Sequence, residues 1–280
     1  MSTAYIFPGQ GSQKKGMGAE LFDKFSDLVA IADQVLGYSI VELCTEDPRE
    51  ELNKTQFTQP ALYVVNALTY LDKIESGETA PAYLAGHSLG EYNALFAAGA
   101  YDFETGLKLV QKRGEIMSKV EGGGMAAVLG LDGEKIKETL VESGVEGVDV
   151  ANFNSPSQTV LSGMKDDIVA AEQAFKDAGA KRYVVLPVSG AFHSRYMEGP
   201  REEFRQFVES FNFAEIKTPV ISNFEAAPYE SARISDLLCS QIAGSVRWVE
   251  SIRLMKDLGV EEFVECGPGR VLAGLIRQIG

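Results

Sequence analysis

The sequence predicts an α/β fold, a large α/β body into which a small βαββαβ unit is inserted. Three observations carry this. Short apolar runs alternate with helical patterns through the first part of the chain, as they do where strands and helices alternate. The run Ala82–Ala85 leads into Gly86-His87-Ser88-Leu89-Gly90 and then straight into a helical pattern. Composition changes at Gly122-Gly123-Gly124, and a compact set of strands and helices in a different order follows.

Each element has a local reason. Ala4–Phe7 reads as a strand and runs into the glycine-rich loop Pro8-Gly9-Gln10-Gly11-Ser12-Gln13. Helical periodicity covers Ala19–Leu36 and Pro60–Glu75, and Leu89–Ala98 is the helix after the Gly86–Gly90 turn. A longer helix spans about Glu104 to Val120. Beyond the glycines come a strand at Met125–Leu129, a helix at Gly133–Ser143, and strands at Val148–Asn152 and Thr159–Ser162. The helix Asp166–Ala178 and the strand Arg182–Val188 complete that set. This order is the ferredoxin-like one. The chain then returns to α/β: helices near Pro200–Phe211, Ile234–Ile242 and Trp248–Leu258, and strands at Val220–Asn223 and Glu262–Val264. The expected division is an α/β-hydrolase-like subdomain of residues 1–123 and 189–280, with a ferredoxin-like small subdomain at 124–188.

Composition narrows the function. The 280 residues are 45% apolar and 24% charged, an ordinary globular balance with room for a large core. No apolar run approaches the ~20 residues a membrane helix needs. Met1 leads directly into a strand without a basic region or cleavage site, so nothing suggests export. The three cysteines are scattered and odd in number, which fits a reducing cytoplasm better than a disulfide framework or a zinc site. The formal net charge of −14 opposes binding to nucleic acid or anionic membranes.

Gly86–Gly90 fits G-x-S-x-G, the sharp strand-to-helix turn that exposes a serine hydroxyl above a sheet. A serine needs a base, and the chain has two histidines, His87 and His193. His87 adjoins Ser88 on a tight turn, where neighbours point apart, so it suits support of the turn. His193 lies in the loop Gly190-Ala191-Phe192-His193-Ser194 and is the expected base. A third group must accept the other imidazole N–H, and either a carboxylate or a backbone carbonyl could do so. Donors for a developing oxyanion are expected from the Leu89 N–H and from the loop Gly9-Gln10-Gly11. That loop lacks the lysine and spacing of a P-loop.

Arg113 is the most telling residue after Ser88. On a helix at ~100° per residue, Leu107, Leu109, Val110, Ile116, Met117 and Val120 share one half of the wheel. Arg113 falls inside that apolar half and is its only charge. A buried guanidinium is costly unless paired, so it is either a structural salt bridge or a fork for a substrate carboxylate.

With these residues placed, the chain resembles the malonyl-CoA:acyl carrier protein transacylases. The matching segments are Phe7-Pro8-Gly9-Gln10-Gly11-Ser12-Gln13, Thr58-Gln59-Pro60-Ala61, Gly86–Gly90, Arg113-Gly114, Asn152-Phe153-Asn154-Ser155-Pro156, Phe192-His193 and Gly267-Pro268-Gly269. Finer details resemble the discrete trans-acting acyltransferases of modular polyketide synthases. The resemblance implies that Ser88 is acylated, with His193 as base and the Gln241 backbone carbonyl orienting it. It implies Gln10 and Leu89 as the oxyanion hole and Arg113 as the holder of the malonyl carboxylate. Phe192, paired with Leu89, would crowd an α-methyl branch.

Malonyl-CoA is then a substrate, no cofactor is expected, and the partner is an acyl carrier protein, in polyketide or fatty acid synthesis. Lys14, Lys15, Lys181 and Arg182 are candidate docking cations on an otherwise acidic chain. The alternative is an acyl hydrolase that clears carrier proteins on the same fold; the inward Arg113 opposes it, because such enzymes handle acyl groups without a free carboxylate. A non-catalytic docking module is opposed by the intact Ser88, His193 and Arg113.

Overall fold

A computed structural model describes residues 2–280. Its strands are β1 (Ser2–Phe7), β2 (Tyr83–Gly86), β3 (Gly123–Leu129), β4 (Val148–Ser155), β5 (Gln158–Met164), β6 (Arg182–Val185), β7 (Val220–Ile221) and β8 (Val260–Glu265). They form two four-stranded sheets.

The first sheet is parallel, in the order β7-β2-β1-β8. Its centre is apolar on both faces, since Ala4, Tyr5, Ile6 and Phe7 are all buried. Parallel strands covered by helices on both sides need such continuous apolar runs. Phe7 pairs with Gly86 at the carboxyl ends of β1 and β2. That register sets the Pro8–Gln10 loop beside the Ser88 turn, at the sheet end where open α/β folds bind ligands.

The second sheet is antiparallel, in the order β4-β5-β3-β6, as the βαββαβ reading requires. Ala126, Val128, Ile136, Leu161, Ile168 and Phe175 form its own core. The Phe153 N–H donates to the Val246 carbonyl at 2.9 Å, and the Val246 N–H to the Ala151 carbonyl at 2.8 Å, stitching β4 to the large body.

Several boundaries differ from those expected. The helix expected from Pro60 begins at Thr55 and carries Pro60 inside it. Burial of Thr58 through Leu68 outweighs the single hydrogen bond that proline forfeits. The helix expected from Ala19 starts at Ser26, because residues 17–25 close as turns. The helix at 166–178 divides at Ala171 into Lys165–Ala170 and Glu172–Asp177. The last small-sheet strand ends at Val185 rather than Val188, short of Pro187, which has no N–H for a ladder. Among the described residues, no helix is long and apolar enough to cross a membrane.

Candidate active site

Ser88 sits at the tip of the turn between β2 and the helix Gly90–Ala97, with φ at 51°. Glycine on either side makes the turn possible. A Cβ on Gly86 would lie 1.9 Å from the Gly90 carbonyl carbon, and one on Gly90 would lie 2.0 Å from the Phe7 carbonyl oxygen. Asn223, just past β7, clamps the turn from below. Its Oδ1 accepts from the Ser88 N–H at 2.7 Å and its Nδ2 donates to the Gly86 carbonyl at 2.6 Å.

His193 Nε2 lies 2.7 Å from Ser88 Oγ. Its Nδ1 faces two backbone carbonyls, Gln241 at 2.8 Å and Gly244 at 3.1 Å. Carbonyls only accept, so Nδ1 carries the proton, Nε2 is the free lone pair, and the Ser88 hydroxyl donates to it. Of the two acceptors left open for the third group, the geometry has carbonyls. Burial, and then the nearby Arg113 charge, push the His193 imidazole down to about 3. It is neutral at physiological pH.

His87 turns away from Ser88. Its Nε2 meets Asn154 Oδ1 of β4 at 2.7 Å, and its ring lies edge-on to Trp248. It bridges the elbow to the small sheet, a wider role than supporting the turn alone.

Arg113, on the helix Phe103–Ser118, is 1% exposed and makes no ion pair among the described residues. The salt-bridge reading of this residue therefore fails. Nη1 donates to Gln59 Oε1 at 2.7 Å, and Nη2 donates to Gln241 Oε1 at 2.9 Å and to Ser88 Oγ at 3.0 Å. The guanidinium also lies 5.5 Å from the centre of the Tyr92 ring. Neutral amides and a π-face hold the cation, with no carboxylate directly against it.

These groups line a cavity of about 200 Å³ between the two sheets. Gln10, Leu89 and Phe192 line it from the large body, and Met125, Ala127, Asn152, Asn154, Gln158 and Val160 from the small sheet. Among the described residues, the backbone N–H groups of Gln10 and Leu89 have no protein acceptor. Lys14, Lys15, Lys181 and Arg182 are exposed and make no ion pair among the described residues.

Sequence reasoning missed four contributors: Glu91, Asn223, Gln59 and the side chain of Gln241. Glu91 left a signal, a charge in the otherwise apolar run after the turn. Asn223 left almost none, because its role depends on a contact 135 residues away in sequence.

The chain belongs to a family of acyl transferase domains, whose pattern it matches over residues 4–278. It is 56% identical over 278 residues to the polyketide biosynthesis malonyl CoA-acyl carrier protein transacylase BaeC of Bacillus velezensis, a match covering 98% of this chain and 96% of that protein. The crystal structure of a malonyl CoA-acyl carrier protein transacylase from Burkholderia pseudomallei superposes with a TM-score of 0.96 at 54% identity, covering 100% of this chain and 98% of that one. A malonyl-transacylase solved in complex with its type II PKS acyl-carrier protein, AntF, gives 0.95 at 39% identity, covering 100% and 93%.

Proposed function

We propose that this chain is a malonyl-CoA:acyl carrier protein malonyltransferase, serving polyketide or fatty acid synthesis through a malonyl-Ser88 intermediate. The single observation that carries the reading is the position of Arg113. A buried, unpaired guanidinium stands 3.0 Å from the hydroxyl that His193 activates. Such a site favours a short acyl group that ends in its own carboxylate.

Malonyl-CoA enters with its carboxylate on Arg113 and its thioester carbonyl over Ser88. His193 Nε2 takes the Ser88 proton as the Oγ–carbon bond forms, and the oxyanion rests on the N–H groups of Gln10 and Leu89. Collapse breaks the carbon–sulfur bond, and the imidazolium returns its proton to the leaving coenzyme A thiolate. In the second half, the phosphopantetheine thiol of the carrier gives its proton to His193 and its sulfur bonds the malonyl carbon. The ester bond to Ser88 then breaks, and Ser88 recovers the proton. A carboxylate on Arg113 offsets one of the causes that hold His193 low, so the correct substrate strengthens the base that must act on it.

Phe192 narrows the cavity against an α-methyl branch, and the exposed cations Lys14, Lys15, Lys181 and Arg182 are the proposed contacts for an acidic carrier protein. The same reading keeps 124–188 as the small subdomain that closes over the acyl group. No cofactor enters these steps.

Intact-mass measurement tests this. After incubation with malonyl-CoA the chain should gain one malonyl group, lose it to a phosphopantetheinylated carrier protein, and gain nothing as Ser88→Ala. Release of free malonate at the rate of acylation, with no transfer to the carrier, would instead make the chain a hydrolase.

A further inference from the structure

Beneath the elbow lies a carboxylate that the transfer steps do not use. Glu91, on the helix Gly90–Ala97, is fully buried. Its Oε1 accepts from the Asn223 N–H at 3.1 Å and from the Tyr229 hydroxyl, and its Oε2 accepts from Gln241 Nε2. Among the described residues, Glu91 and Arg113 are the only Asp, Glu, Lys or Arg side chains that are buried. They form no ion pair with each other. One amide, that of Gln241, stands between the buried anion and the buried cation.

That amide can face only one way. Gln241 Nε2 donates to the Ser88 carbonyl at 2.8 Å as well as to Glu91. Both partners are acceptors, so the Gln241 oxygen must turn to the other side, where it accepts from Arg113. Reversing the amide would put two oxygens against its own oxygen and an N–H₂ against the guanidinium. A carboxylate placed directly on Arg113 would fill the site that an incoming acyl carboxylate needs. With no carboxylate nearby, the buried cation would lack a counter-charge.

We infer that Glu91 is a positioning residue for acyl-group selection, fixing the Gln241 amide so that Arg113 faces Ser88 and balancing its charge without occupying it. The inference rests on the malonyl-transfer reading and deepens it. It also gives the selectivity a pH dependence. Burial pushes the Glu91 carboxyl up to about 7, against the pull of Tyr229, Gln241, Asn223 and Arg113. The other titratable or charged groups facing it are Arg113, Tyr92, Tyr101 and Tyr229. Burial raises all three phenols, and an arginine stays protonated in proteins, so Glu91 alone among these changes charge near neutrality. As pH falls through that range, a protonated Glu91 no longer accepts at both oxygens, and the amide is left with the Ser88 carbonyl as its one fixed acceptor.

The test is single-turnover loading of Ser88 from malonyl-CoA and from acetyl-CoA, the uncharged comparison, between pH 6 and 8.5. In the wild type, the malonyl-to-acetyl ratio should fall toward the acid end. Glu91→Gln should lower that ratio about tenfold at pH 8 and flatten its pH dependence. Tyr229→Phe touches neither Ser88 nor Arg113 and carries the test if Glu91→Gln does not fold. It removes a donor that favours the ionised carboxyl, so the midpoint of the fall should move to higher pH. A Glu91→Gln protein that folds and keeps both the ratio and the pH dependence would overturn the inference, as would an unmoved midpoint in Tyr229→Phe. Wild-type protein that accepts no malonyl group would instead sink the transfer reading itself.

Discussion

The two sheets divide the labour unequally. The parallel sheet carries the proposed reacting groups and their support at the carboxyl ends of its strands: Ser88 after β2, the Gln10 loop after β1, and the Asn223 clamp after β7. The antiparallel sheet contributes cavity wall and one side-chain tie to the elbow, Asn154 to His87. Chemistry therefore depends on a few fixed atoms of the large body, whereas the small sheet supplies the facing wall of the cavity. Substitutions in the first should cost orders of magnitude, and those at the rim should cost small factors.

The largest expected effect is Arg113→Ala, which removes the carboxylate partner and leaves the amide oxygens of Gln59 and Gln241 unpaired. Malonyl loading of Ser88 should fall at least a hundredfold, about 3 kcal/mol, with a much smaller loss for acetyl groups. Equal losses for both acyl groups, followed by intact mass, would make Arg113 structural. Next is Phe192→Ala, which opens the wall beside the base. Competition between methylmalonyl-CoA and malonyl-CoA should shift about tenfold toward the branched substrate, within the range one methyl can supply. An unchanged ratio would assign that selection to the small-sheet wall.

A smaller effect concerns stability and pH. Burial holds both imidazoles below their ordinary range, His193 at about 3. As pH drops from 6.5 to 5, the unfolded chain binds a proton at His193 that the folded chain refuses, so stability is lost on acidification, and the lowered His87 acts in the same direction. Glu91 acts in the opposite sense, since its folded carboxyl takes up a proton before its unfolded one does. Thermal melting of His193→Asn should therefore lose less stability than the wild type over that window. The smallest effect is at the rim. Lys181→Glu with Arg182→Glu, on the small sheet, should raise the carrier-protein KM several-fold and leave acylation by malonyl-CoA unchanged. The same change at Lys14 and Lys15, on the large body, tells which side receives the carrier.

Much of this was legible in the sequence. The elbow announced itself because its backbone demands glycines at fixed positions. Arg113 stood out because one charge interrupted an apolar helical stripe. His193 followed by elimination in a chain with two imidazoles. The ferredoxin-like character of the small unit followed from its element order. The amide and carboxylate network was not legible. Gln59, Gln241 and Glu91 act only through partners far along the chain, and an isolated Gln or Glu gives no hint that both ends of its head group will be matched. The start of the helix at Thr55 was obscured for a simpler reason, since Pro60 is the more usual mark of a first turn.

The proposed nucleophile and base both sit in left-handed backbone, Ser88 at φ 51° and His193 at φ 56°. Neither conformation is the one its residue would choose, and each costs on the order of 1–2 kcal/mol, held in place by Asn223 on one side and the Gln241 and Gly244 carbonyls on the other. Such a pair behaves like a cocked spring inside a sturdier frame. On mild warming the two residues should relax before the sheets come apart, so catalytic competence is the first property this molecule gives up and compactness the last.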